Sequence, residues 1–183
     1  MQKLQRKLEI EIKNIELLIL DVDGVLTDNR MIYVNDDGEA KSFSAGDGFA
    51  IKATSNRALR YAVISARHSD VTERRCREIG IHDVFTKWNK LEALEDLMKK
   101  YGLTLSQVGC VGNDIPDALI MEKVGLAVCP ADAEEEMFKF AHYQTGRAGG
   151  KGCCREVIKF ILEAKGLDLM QIYRDGLADN KAR

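Results

Sequence analysis

Five short apolar runs punctuate the chain, at residues 15–20, 61–64, 83–85, 108–111 and 126–128, and each reads as a buried strand. Between them the apolar positions take up helical period. Residues 90–101 place Leu91, Leu94, Leu97 and Met98 on one face. Residues 156–164 offer Val157, Ile158, Ile161 and Leu162, a stripe wide enough to cover a sheet. Strands alternating with helices of this length predict an α/β fold: a doubly wound, Rossmann-like parallel sheet covered on both faces. No repeat, low-complexity tract or composition break divides the 183 residues, so 1–183 reads as one domain. Its tail, about 166–183, carries no decisive pattern.

One segment breaks the alternation. Met31-Ile32-Tyr33-Val34, then Asn35-Asp36-Asp37-Gly38, then residues 39–44 has the form of a β-hairpin, two extended runs around an Asp-Gly turn. This hairpin, about 30–44, follows directly on the first strand, so it would overhang whatever that strand carries.

Ligands of open parallel sheets bind beyond the carboxyl ends of the strands. Those ends are rich in polar chemistry here. The first continues into Asp21-Val22-Asp23-Gly24-Val25-Leu26-Thr27, the second into Ser65-Ala66-Arg67, and Lys90 opens a helix after the third. The fourth continues into Gly112-Asn113-Asp114-Ile115-Pro116-Asp117. Mg²⁺ takes oxygen ligands and often bridges carboxylate to phosphate, and a hydroxyl and an ammonium would serve the remaining phosphate oxygens. Each piece alone has a plainer reading: a turn for the Asp pair, a helix cap for Ser65, a solvated lysine, a capped helix start. Their order on successive strand ends is what argues for a site.

Other readings fail on spacing. An EF-hand counted from Asp21 would need Gly at position 26 and Glu at 32, where the chain has Leu26 and Ile32. Gly149-Gly150-Lys151-Gly152 lacks the Ser or Thr of a P-loop. His68, His82 and His142 are scattered without ligand spacing. The five cysteines form no C-x-x-C pair, which suits buried thiols in a reducing, cytoplasmic compartment. A formal net charge of −2 offers no general attraction to nucleic acid or an anionic membrane. No apolar stretch approaches a bilayer span, and residues 1–6 lack the apolar core of a signal peptide.

These residues resemble the haloacid dehalogenase-like phosphohydrolases. Their first motif, D-x-D-G-x-[TV], is matched by Asp21–Gly24 with one extra residue before Thr27; Ser65, Lys90 and Gly112–Asp117 match the second, third and fourth. Within that family, residues 15–165 are similar to capless phosphatases of sugar-acid phosphates. That likeness rests on the hairpin, on Gly46-Asp47-Gly48 and on Ala148–Gly152 before Arg155-Glu156-Val157.

The resemblance implies Mg²⁺-dependent hydrolysis, with 3-deoxy-D-manno-octulosonate 8-phosphate as the expected substrate. A nine-carbon sugar-acid 9-phosphate, or an idle partner domain of a cytidylyltransferase, stands as the alternative. Asp21 is then the nucleophile and Asp23 the acid–base, with Ser65 and Lys90 on the phosphate. Asp21, Asp23, Asn113 and Asp114 are the metal candidates, and Asp117 orients Lys90 or a metal-bound water. Arg67, Asp47 and Thr27 are candidates for holding the sugar acid. Two positions depart from the pattern: Asn113 replaces a carboxylate, and Ala66 a glycine. Neither the gap from Asp21 to Ser65 nor that from Ser65 to Lys90 has room for a cap domain. The resemblance therefore implies a homotetramer in which hairpins assemble and the Gly-rich C-terminal region reaches a neighbour's site.

Overall fold

The computed structural model describes residues 12–35 and 38–181. Six parallel strands make one sheet, in the order β5-β4-β1-β6-β7-β8. They are β1 (Leu17–Leu20), β4 (Arg60–Ser65), β5 (Asp83–Thr86), β6 (Val108–Val111), β7 (Leu126–Cys129) and β8 (Tyr143–Gln144). The hairpin strands β2 (Ile32–Val34) and β3 (Gly38–Ala40) form a separate antiparallel ribbon. The helices are α1 (Ala45–Thr54), α2 (Asp70–Ile79), α3 (Lys90–Tyr101), α4 (Ile115–Met121), α5 (Cys153–Ala164) and α6 (Leu169–Lys181).

Successive strand residues point to opposite faces, and both faces are covered, which is why the strands read as continuous apolar runs. Leu18, Leu20, Val63, Val111 and Val128 face a core layer completed by Val157, Ile158, Ile161 and Leu162 of α5. Leu17, Ile19, Ile64, Cys110 and Ala127 face the other way, against Leu94 and Leu97 of α3 and Ile120 and Met121 of α4.

All five predicted strands are present, with small shifts. β1 starts at Leu17; Ile15 is buried in the turn ahead of it. A sixth strand, β8, was not foreseen, because two residues make no apolar run. α5 begins at Cys153, three residues before the stripe that announced it. The tail forms α6, which buries Leu169 and Ile172 and sets Tyr173 edge-on to Phe49 of α1, ring centroids 5.3 Å apart.

The hairpin forms in the register Ile32↔Ala40, Tyr33↔Glu39 and Val34↔Gly38, its turn residues 36–37 lying outside the described residues. An antiparallel bridge between Thr27 and Phe43 roots it beside the segment that follows β1. Its apolar side chains Met31, Ile32, Tyr33 and Val34 are exposed. Among the described residues only the hairpin and α1 separate β1 from β4, and only α2 separates β4 from β5, so no cap domain is inserted.

Candidate active site

Chain direction puts the site at the carboxyl end of β1. After β1 the chain runs to β4 and β5 on one side, then returns to β6, β7 and β8 on the other, which opens a crevice at the reversal. Leu20 is level with Val63 of β4 and Val111 of β6. Asp21, Ser65 and Asn113 therefore emerge within two residues of one rim level, on strands about 4.8 Å apart.

The segment after β1 is a tight turn over Val22–Leu26 that requires a glycine. Gly24 has φ +91, and a Cβ there would lie 2.1 Å from Asn113 Nδ2. Thr27 closes the turn: its N–H and hydroxyl both donate to the Val22 carbonyl, at 3.0 and 3.2 Å, and its Oγ1 accepts from Gly24 N–H at 3.4 Å. Thr27 is buried in this role and shapes the nucleophile turn.

Lys90 joins two carboxylates from different elements, Asp21 just after β1 and Asp117 in α4. Its ammonium donates to Asp21 Oδ1 and to Asp117 Oδ1, both at 2.6 Å, and all three side chains are buried. Asp117 Oδ2 accepts from the N–H groups of Asn113 and Asp114, at 3.0 and 3.4 Å, which fixes the β6–α4 loop. Burial and the neighbouring Asp117 push Asp21 up to about 7, while Lys90 pulls the other way. Burial alone would lower Lys90, but Asp21 and Asp117 outweigh it and hold the ammonium charged.

Two carboxylates and one ammonium leave the cluster with a formal charge of −1. Beside it, Asn113 is 4% exposed and its Oδ1 has no hydrogen-bond partner among the described residues. A buried carbonyl oxygen without a donor is costly unless a cation takes it. The donor set is hard oxygen throughout, as Mg²⁺ prefers, so these residues fit that ion. Asp114 is exposed, and its Oδ1 accepts from Ile115 N–H at 2.7 Å as a helix cap, so Asn113 is the better placed of the two. Among the described residues no group of three or more His, Cys, Asp and Glu converges as a metal cluster. What stands together here is instead the Asp21 carboxylate and the Asn113 amide.

The other half of the rim belongs to the hairpin. Asp23 Oδ1 accepts from Lys41, whose side chain is only 1% exposed, and Arg67 Nε lies 3.8 Å from Asp23 Oδ2. Glu39 accepts from Arg67 Nη2 and from Ser69 Oγ, the latter at 2.6 Å. Ser65 Oγ accepts from Arg67 N–H at 3.2 Å and stands 3.0 Å from the Arg67 carbonyl, at the buried end of β4. Lys41, Glu39 and Ser69 escaped the sequence reading. Nothing in their local pattern separates them from solvated surface residues; the root of the hairpin at Thr27 and Phe43 brings Lys41 and Glu39 here, to meet Ser69 ahead of α2.

Asp47 lies at the junction of two helices. It is buried, and its oxygens accept from Arg155 N–H at 2.7 Å and Gly152 N–H at 3.2 Å, the free donors at the start of α5. It clamps α1 to α5. The Gly-rich segment packs behind the nucleophile turn: Gly150 N–H donates to Val25 O at 2.9 Å, and a Cβ on Gly149 would lie 2.0 Å from Gly24 O. Its small residues are what allow that close approach.

Comparison with known proteins agrees with this geometry. Residues 81–155 match the family model described as haloacid dehalogenase-like hydrolase. The 3-deoxy-D-manno-octulosonate 8-phosphate phosphatase of Escherichia coli is 42% identical over 155 residues, 84% of this chain and 82% of that one. The chain belongs to the haloacid dehalogenase-like phosphatases.

Two solved members of this phosphatase family extend the match to the fold. The Moraxella catarrhalis 3-deoxy-D-manno-octulosonate 8-phosphate phosphatase, solved in complex with magnesium ion, phosphate ion and KDO, aligns with a TM-score of 0.85 at 31% identity. That alignment covers 95% of this chain and 98% of the other. The Yersinia pestis enzyme of the same name aligns at 0.84 and 34% identity, over 87% and 86%. No helix among the described residues of this family member is long and apolar enough to cross a membrane.

Proposed function

We propose that this chain is a Mg²⁺-dependent phosphoric monoester hydrolase acting on 3-deoxy-D-manno-octulosonate 8-phosphate, releasing the sugar acid and inorganic phosphate. The observation that carries the reading is the buried Asp21–Lys90–Asp117 cluster beside the unpartnered Asn113 Oδ1. The substrate is that of relatives 42% identical over most of the chain.

Asp21 attacks phosphorus in line and forms an aspartyl-phosphate. Asp23 gives a proton to the departing sugar oxygen and then takes one from the water that hydrolyses the intermediate. Lys90 and Ser65 hold phosphoryl oxygens, and Asp117 keeps Lys90 aimed at Asp21. Mg²⁺, held by Asp21, the backbone carbonyl of Asp23 and Asn113, would neutralise charge on the transferring group. Arg67, 39% exposed at the rim, is the group to meet the sugar-acid carboxylate, exchanging Glu39 for it.

The hairpin's exposed apolar face and unpaired strand edges support a homotetramer in which neighbours close the capless site. Five free buried thiols suit a cytoplasmic setting. The test is phosphate release with Mg²⁺ from octulosonate 8-phosphate, nine-carbon 9-phosphates and hexose phosphates. Turnover is expected on the first, and no turnover on any of them refutes the reading. Sedimentation of an active monomer would refute the tetramer.

A further inference from the structure

Lys41 has no part in the chemistry above, yet the fold encloses it almost completely. Removing an ammonium from water carries a heavy desolvation penalty, offset only by close partners of opposite charge. Its partners are Asp23 Oδ1 and, at 3.7 Å, Glu39 Oε1. The bridge from Thr27 to Phe43 lies two residues further along and sets this part of the hairpin beside the nucleophile turn. Asp23 is thus held on two sides, by Lys41 on Oδ1 and by Arg67 near Oδ2. Glu39 closes the circuit through Arg67 and Ser69.

We propose that Lys41 is the positioning residue of the acid–base step, and that through it the hairpin completes the acid–base apparatus of this capless site. The inference rests on the phosphatase reading. In the first half-reaction the bond from phosphorus to the sugar oxygen breaks, that oxygen takes the Asp23 proton, and a bond from phosphorus to Asp21 forms. In the second, water attacks phosphorus, its proton returns to Asp23, and Asp21 leaves as carboxylate while phosphate departs. Lys41 exchanges no proton in either half. It keeps the Asp23 carboxyl aimed through its hydrogen bond to Oδ1.

The test compares leaving groups. A sugar alkoxide needs the Asp23 proton, whereas p-nitrophenolate departs without one, so first-turnover rates isolate a residue acting through Asp23. With Mg²⁺ present, Lys41→Met is expected to slow the first turnover of the sugar-acid phosphate on the order of 10²-fold. The nitrophenolate burst from p-nitrophenyl phosphate should stay within a few-fold of wild type. Asp23→Asn should show the same selectivity, and the double variant should lose no more than Asp23→Asn alone. Equal losses on both substrates, or losses that multiply in the double variant, overturn the proposal. Should Lys41→Met not fold, Lys41→Gln, which keeps an N–H donor without the charge, is read by the same criteria. A wild type inactive on both substrates refutes the phosphatase reading itself. An active wild type indistinguishable from the Lys41 variants refutes only the role of Lys41.

Discussion

Asp21 and Asp23 sit two residues apart on one turn, and the molecule treats them in opposite ways. The Asp21 side chain is 10% exposed and is gripped from the sheet side, by Lys90 at the start of α3 and, through it, by Asp117 in α4. The Asp23 side chain is 17% exposed and is gripped from the hairpin side, by Lys41 with Arg67 close by. In-line attack tolerates little misplacement, so the nucleophile is tied to the starts of two helices packed on the sheet. The acid–base must exchange protons with a leaving group and with water, and it stays nearer solvent, held by the hairpin. The first half of the rim is therefore a stability problem as well as a chemical one. The second half is chiefly a matter of aim.

The sharpest way to break this contrast is at the nucleophile. Asp21→Asn should lower phosphate release by at least about 10⁴-fold, since no neighbouring group can take its place in the covalent step. Retained activity would refute the assignment. Lys90→Met should be costly on two readouts. Removing one partner of a buried ion pair destabilises by about 3–5 kcal/mol, here leaving Asp21 and Asp117 facing each other. Losing a donor to the transferring group should cost about 10²–10³-fold in kcat. Chemical denaturation and steady-state kinetics separate the two. A full-strength fold with normal kcat would mean that the sheet-side cluster serves neither purpose.

How much of this was legible in the residues divides along the same line. The sheet-side half follows from order along the chain: apolar runs mark the strands, and a parallel sheet gathers whatever follows each carboxyl end. Asp21, Ser65, Lys90, Asn113 and Asp117 needed no more than that. The hairpin half does not, because Lys41 between Ala40 and Ser42 looks like any solvated lysine. Its burial depends on where the ribbon is rooted, a contact between Thr27 and Phe43 that no local pattern announces. β8 was invisible because Tyr143-Gln144 is too short to carry a period. Thr27 and Asp47 show a different limit. Their side chains suit a sugar acid, and only the fold reveals that backbone N–H groups and a carbonyl of the chain engage them.

Arg67 offers a smaller but selective perturbation on the hairpin side. Its guanidinium is shared with Glu39, whose carboxyl is kept below the ordinary range: burial opposes this, but donors from Ser69 and Arg67 prevail. Arg67→Ala should raise KM for the sugar-acid phosphate by roughly 10–100-fold, as expected when a charge-assisted contact is lost. KM for p-nitrophenyl phosphate, which has no carboxylate, should stay unchanged. The sign of the pH effect follows from the lowered Glu39. Its contribution to anchoring the hairpin is complete above the ordinary glutamate pKa of about 4.3 and disappears as pH falls through the lower folded value. Hydrogen exchange at β2 and β3 should therefore accelerate in acid before the sheet itself opens.

Asp47 gives the smallest effect and the cleanest separation between holding the fold and holding a ligand. Asp47→Ala leaves the N–H groups of Gly152 and Arg155 without an acceptor in a buried setting, which should cost about 1–3 kcal/mol. For a chain of this size that corresponds to a Tm lower by roughly 2–4 °C for each kcal/mol. Asp47→Asn keeps one acceptor oxygen and should recover part of the loss. If the clamp between α1 and α5 is its whole task, both variants keep kcat and KM within a few-fold at a temperature where they remain folded. The Gly-rich segment would still back the nucleophile turn through Gly150 and Val25. An Asp47→Asn protein of normal Tm but much weaker substrate affinity would place Asp47 at the ligand and the clamp elsewhere.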